Sequence, residues 1–221
     1  MVDITDYFIK TGLIQLDKGD LNINNLDVKD IIIQGQSVIQ ANEGTEKVNI
    51  IGSKFENVER QITGNGSIIE GYMNNNNGKI IVSSTTFKNC KLDTSTGLGG
   101  AIYLKIQLGE IELSEVTMNQ CSAKNGGAIY SSLIEGSSMI IKDSSSFSEC
   151  KSIAGNGGAM YIDIDLTSQS KFELIDTTCQ SCQSKDSTPP SSSTSPFGFG
   201  GAIFITAQGQ YDPLKNGKAL K

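Results

Sequence analysis

Apolar residues alternate with polar ones in short bursts along this chain, as at Ile102, Leu104, Ile106 and Leu108 and again at Met160, Ile162, Ile164 and Leu166. A period of two puts such residues on one face of a β-strand, so each burst predicts a strand with one side turned inward. Nowhere do apolar positions keep a helical spacing, and Ser, Asn, Gly and Asp crowd the intervals where the chain has to turn.

The bursts recur with a phrase attached. It reads GGAIYL at 99–104, GGAIYS at 126–131, GGAMYI at 157–162 and GGAIFI at 200–205, with a weaker copy, GSIIEG, from Gly66. From 66 through 100, 127 and 158 to 201 the steps are 34, 27, 31 and 43 residues. A second phrase keeps phase with the first: Val28 to Ile31, Phe55 to Val58, Phe87 to Cys90, Met118 to Cys121, Phe147 to Cys150 and Cys179 to Cys182. Seven residues before each lies an apolar one: Leu21, Val48, Ile80, Ile111, Ile140 and Phe172. At the fifth of these a slip by one residue fits as well, because Met139 and Ile141 alternate in the same way.

A unit of about 30 residues with two or three short strands cannot bury a face alone, and has to stack on its neighbours. The pattern therefore predicts an all-β fold, a right-handed, single-stranded parallel β-helix or solenoid of about six coils. Stacking sets equivalent residues about 4.8 Å apart in columns. One inward column is Val28, Phe55, Phe87, Met118, Phe147 and Cys179, and another is Ile31, Val58, Cys90, Cys121, Cys150 and Cys182. Gly100, Gly127, Gly158 and Gly201, each following another glycine, mark a bend where a positive φ or the close approach of a neighbouring coil excludes a side chain. In domain terms, residues 1–20 are an incomplete first coil, 21–208 the β-helix with a loop insertion at 184–199, and 209–221 an irregular tail. The tail is polar and lacks the pattern of a fitted cap, so a fragment of a longer solenoid is expected.

The GGAI phrase with FENV at Phe55 and FKNC at Phe87 resembles the repeat of the chlamydial polymorphic outer-membrane protein family, over roughly residues 50–205. The resemblance implies a right-handed parallel β-helix of a surface protein, of the kind also common in large surface proteins of protists. The chain departs from the family in having no translocator barrel. Later copies also put Gln120, Glu149 and Ser181 where the motif has Asn.

Composition narrows the chemistry. With no His, Ser-His-Asp and Cys-His catalysis are excluded, as are imidazole zinc sites. The net charge is −6, no Lys/Arg cluster tracks phosphates, and Arg60 is the only arginine, so nucleic acid is not an expected partner. No apolar run approaches the roughly 18 residues of a membrane span. The opening MVDITDYFIK lacks the blocks of a signal peptide, yet the surface-protein resemblance implies an extracellular or cell-surface location. No cofactor is expected. Cys179 and Cys182 form a CQSC pair, but no second pair completes a zinc site, so the thiols are read as core filling and no metal is expected.

Two groups of outward residues are candidates for function. Tyr103, Tyr130, Tyr161 and Phe204 follow the inward residue of each phrase and should form an external aromatic file, suited to sugar stacking or partner docking. Asp163 and Asp165 point outward from one strand, as do the carboxylates of pectin-lyase-like β-helix enzymes, with Lys105, Ser132 and Thr206 at the neighbouring positions. Asn65-Gly66-Ser67 is the one N-glycosylation sequon. The leading expectation is a non-catalytic structural or adhesive module, whose partners are other domains of the same protein, neighbouring protomers, or a cell-surface protein or glycan. The alternatives are a carbohydrate-active enzyme using Asp163 and Asp165, and a self-associating architectural element.

Overall fold

A computed structural model describes residues 3–4, 8–9, 12–61, 64–92, 96–185 and 198–221. Every strand pairing in it is parallel, and the strands stack into two sheets, of 12 and 11 strands. The chain is a β-solenoid of about five turns, close to the six expected.

A typical coil has three sides. The first strand follows the glycine pair, as at Ile102–Gln107, Ile129–Ile134 and Met160–Asp165. The second is Glu110–Ser114, Ser138–Lys142 or Lys171–Leu174. The third is split into two arms, such as Thr117–Asn119 and Ser122–Ala123. In the upstream coils the same sides run together without a break, in Ile39–Ile51 and Lys54–Arg60.

Left-handed residues turn the chain between sides. One column of them is Asn25, Gly52, Ser84, Glu115, Ser144 and Asp176, at φ 47–62°. A second splits the third side: Asp30, Asn57, Asn89, Gln120, Glu149 and Ser181, all at φ 54–56°. Asn tolerates this conformation better than other residues with side chains, which accounts for the Asn of the repeated phrase. The corner keeps its geometry where Gln120, Glu149 and Ser181 replace it. Asparagine also adds a ladder, with Asn57 Nδ2 donating to Asp30 Oδ1 at 2.6 Å and Asn89 Nδ2 to Asn57 Oδ1 at 2.8 Å.

Both inward columns form as expected. Val28, Phe55, Phe87, Met118 and Phe147 are in register and buried, and the Phe55 and Phe87 rings stack at 5.3 Å. Cys179 continues the column by pairing with Phe147, but lies exposed on the last coil.

In the fifth coil the residue that enters the core is Met139, which pairs with Ile111 and Phe172, and Ile140 faces outward between Glu112 and Glu173. The cause is an extra residue at the next corner, where Asp143 and Ser144 are both left-handed. Leu108 likewise leaves the alternation: the strand ends at Gln107, and Leu108 takes a left-handed corner and is 40% exposed.

At the first coil, Asp3–Ile4 and Phe8–Ile9 pair with Asp27–Ile33, and Leu13, Ile14 and Leu16 pack on the core. In the stretch expected to be an irregular tail, Pro213–Asn216 forms one turn of helix capped by Asp212. Beyond it Leu220 bridges Phe172, and Phe172 N donates to Ala219 O at 2.8 Å. Of the loop insertion expected at 184–199, residues 186–197 lie outside the described residues.

Candidate functional site

The glycine pair serves both of the needs anticipated for it, one at each residue. Gly99, Gly126, Gly157 and Gly200 have φ of 60–71°. The second glycine of each pair sits against the next coil. A Cβ at Gly127 would lie 2.6 Å from Lys151 N, and one at Gly158 2.6 Å from Gln183 N. At Gly100 the nearest backbone nitrogen, Ser122 N, would be 2.8 Å away. Gly201 is on the last of these corners, and its nearest neighbour would be Cys182 O at 3.7 Å.

The same corner explains the sequon. Asn65 Oδ1 accepts from Leu98 N at 3.2 Å, and Asn125 and Asn156 do the same for the coils after them. Ser67 is fully buried with its hydroxyl on Gly100 O at 2.6 Å. In the folded protein the sequon is a stacking element.

The cysteines are free thiols. Cys90, Cys121, Cys150 and Cys182 each donate to the carbonyl of the column residue one coil back, Phe55, Phe87, Met118 and Phe147, at 3.6–3.7 Å. The Cys150 thiol, hydrogen-bonded to the Cys121 sulfur and buried, is pushed far above the ordinary range. Partial desolvation, then the neighbouring Cys182, pushes the solvent-exposed Cys179 thiol up to about 11. Thiolate chemistry near neutral pH is therefore strongly disfavoured at both.

Tyr103, Tyr130, Tyr161 and Phe204 do form one outward file, in register across four coils. Their centroids are 5.5, 4.9 and 5.2 Å apart, and the tyrosine planes lie within 16° of parallel. Rings this close cannot lie side by side, so each covers a face of the next. In the middle of the file only ring edges and hydroxyls point outward. Tyr72 packs against Tyr103, so a free face for sugar stacking is left only at the Phe204 end. Tyr103 is 8% exposed, and the others are half-buried. Burial, with a contribution from Asp163, raises the Tyr130 hydroxyl well above its usual pKa, so it stays protonated.

Asp163 and Asp165 lie on one strand as expected, but each is committed to its own hydrogen bonds. Asp163 accepts from Thr206 Oγ1 at 2.9 Å and Gln208 Nε2 at 2.9 Å. Asp165 caps the following turn, accepting from Thr167 N at 2.8 Å, Thr167 Oγ1 at 2.7 Å and Ser168 Oγ at 2.7 Å. The Thr167 bonds chiefly hold its carboxyl below the usual pKa. A general acid or base works best when its pKa lies near the working pH, and Asp165 is moved the other way. Lys105 is in the same column, but Ser132 stands between it and Asp163. Among the described residues no group of three or more Cys, Asp and Glu is placed to hold a metal ion.

A groove of about 710 Å³ crosses the outer face of the second strands, lined by Glu110, Glu112, Ser138, Ile140, Lys171 and Glu173. Its acids have lysine partners: Lys79 with Glu110 at 3.4 Å, Lys142 with Glu112 at 3.1 Å, and Lys221 with Glu173 at 3.9 Å.

The most connected polar cluster is one that the repeat pattern does not reveal. In the coil before Tyr103 the file position is held by Glu70, and Tyr72 two residues on tilts against Tyr103 with centroids 5.7 Å apart. Arg60 is 5% exposed and meets Glu70 Oε2 at 2.8 Å, while its Nε donates to Gly35 O at 2.7 Å and its Nη1 to the Asn65 carbonyl. Tyr72 then donates its hydroxyl to Glu70 Oε1 at 3.0 Å. The one signal in the sequence was the solitary arginine itself.

These columns define the class, a parallel β-solenoid repeat protein. No protein-family model, curated protein or solved structure matches the chain. No helix among the described residues is long and apolar enough to cross a membrane.

Proposed function

We propose that the chain is a non-catalytic scaffold, a structural or adhesive module of a larger surface or extracellular protein, with its outer faces as the interaction platform. The observation that carries this reading is the commitment of the two candidate catalytic carboxylates, Asp163 and Asp165, to hydrogen bonds within the fold. The repeated Gly, Asn and Cys residues are likewise used in stacking one coil on the next. What varies from coil to coil is the outward surface, where a fixed scaffold carries its specificity. Partners suited to such faces are other domains of the same protein, a neighbouring protomer, or a cell-surface protein or glycan.

The test compares the wild type with Asp163→Asn/Asp165→Asn for release of reducing or unsaturated sugars from acidic polysaccharides. No release from either is expected. Release by the wild type that the double substitution abolishes would establish the enzyme reading instead.

A further inference from the structure

We propose that the hollow beside Tyr72 binds an alkylammonium group. The hollow has a volume of about 430 Å³ and is lined by Tyr72, Asn42, Glu43 and Gly44. It lies apart from the stacked middle of the aromatic file, and the proposal does not depend on what that file docks.

The chemistry follows from the ring and its surroundings. A cation next to an aromatic face is drawn by the ring quadrupole, and a carboxylate beside it adds to the attraction. Tyr72 donates its hydroxyl to Glu70 at 3.0 Å, which enriches the ring in electron density. Burial, then the charge of Glu70, keeps that hydroxyl protonated. Glu43 supplies an exposed carboxylate to the lining. Behind the wall, Asp17 accepts from Asn42 Nδ2 at 2.5 Å and from Gln15 at 2.9 Å, and these bonds lower its pKa and keep it charged. Two lysines stand on neighbouring strands, Lys18 in register with Gly44 and Lys105 in register with Tyr72, so the site has to favour its ligand through the ring and Glu43. A side chain at Gly44 would strike the Asp17 carbonyl, so the glycine keeps the wall flush.

The cluster behind the ring points the same way. A buried ion pair is poor value for stability, because apolar residues of similar volume often do as well or better. The later coils hold the same file with Tyr103, Tyr130 and Tyr161 and no buried charge at that position. What the Arg60–Glu70 pair achieves is to fix the Tyr72 hydroxyl, so the ring is set before any ligand arrives.

The experiment titrates the whole chain with choline, with Nα-acetyl-lysine methylamide, and with 3,3-dimethylbutanol, the uncharged isostere of choline, following binding by NMR. At least one cation is expected to bind in the millimolar range, roughly tenfold or more tighter than the isostere. Choline as the tighter ligand assigns a quaternary group, and the lysine amide as the tighter one assigns a primary ammonium. Glu43→Gln, at an exposed position, should weaken binding severalfold with the fold intact, and Tyr72→Leu should abolish it. Failure of both cations to bind at millimolar concentration overturns the proposal. So does equal binding of the isostere, or unchanged binding in Glu43→Gln.

Discussion

Replacing one glycine of the repeated pair by alanine should have opposite consequences at two positions that look alike in sequence. At Gly127 a methyl group would lie 2.6 Å from the nitrogen and carbonyl carbon of Lys151, and closer still to the carbonyl oxygen of Gly158. All of these are backbone atoms held by strand pairing, including Gly127 N to Gly157 O at 3.1 Å and Lys151 N to Cys121 O at 2.9 Å. No side chain can swing aside, so the coils must part. Overpacking costs typically 1–3 kcal/mol, and with backbone on both sides about 3 kcal/mol is expected. For a chain of this length that is a fall in Tm of roughly 6–12 °C. At Gly201 the same methyl meets nothing nearer than 3.7 Å, and its φ lies outside the left-handed region. Gly201→Ala should then be neutral or stabilise by up to about 1 kcal/mol, through the unfolded chain. Thermal unfolding followed by circular dichroism, with guanidinium midpoints alongside, measures both variants. Equal destabilisation at Gly127 and Gly201 would refute the argument that contact between coils keeps these positions as glycine.

Four further outcomes follow from the same contacts. Ser131 faces the core between Leu104 and Ile162 with its hydroxyl unpaired, so Ser131→Ala should leave stability unchanged or raise it by about 1 kcal/mol in denaturant titration. Gln120→Asn puts the better residue at φ 56° and lets the Asp30–Asn57–Asn89 ladder extend by one coil, at the loss of the exposed Gln120 Nε2 bond to Glu149 at 2.8 Å, for a net gain of about 0.5 kcal/mol in the same assay. Arg60→Met leaves Glu70 buried beside no cation and should cost about 3 kcal/mol, of which Arg60→Met/Glu70→Leu should recover only part, since the Gly35 and Asn65 carbonyls and the Tyr72 hydroxyl still lose their partners; a double variant as unstable as the single one would contradict this. Cys121 and Cys150 titrate higher in the fold than the roughly 8.5 of an unfolded thiol, so the stability they contribute is intact below that pH and is lost as pH rises further. Unfolding midpoints should therefore fall between pH 8 and 10.5 by less in Cys121→Ala/Cys150→Ala than in the wild type.

The solenoid was legible because one sequence period carries three kinds of information at once: which residues face inward, where the chain bends, and which residues stack. The inward columns and the aromatic file needed only alternation, and Tyr103, Tyr130 and Tyr161 are in register as counted. Counting failed where a residue was added without disturbing the pattern. Asp143 lengthens one corner, and only the strand pairing distinguishes Met139 from Ile140 as the core residue. Nor does alternation say how outward side chains arrange themselves. That the tyrosines would cover each other's faces follows from the coil spacing, but the lean of each ring does not. The cluster of Arg60, Glu70 and Tyr72 was out of reach for another reason. Its members come from different sides of the coil, at offsets that recur nowhere else, and a corner brings them together.

The paired glycines line up from coil to coil, Gly100 N on Gly126 O, Gly127 N on Gly157 O and Gly158 N on Gly200 O, and leave one seam of the molecule made of backbone alone. Under tension along the axis that seam has no interlocked side chains to share the load. Each coil is held there by the same few hydrogen bonds as the next, so differences in hold between coils come from the other sides, where the core columns and ladders lie. Adding or removing a coil would lengthen or shorten that seam without altering its make-up.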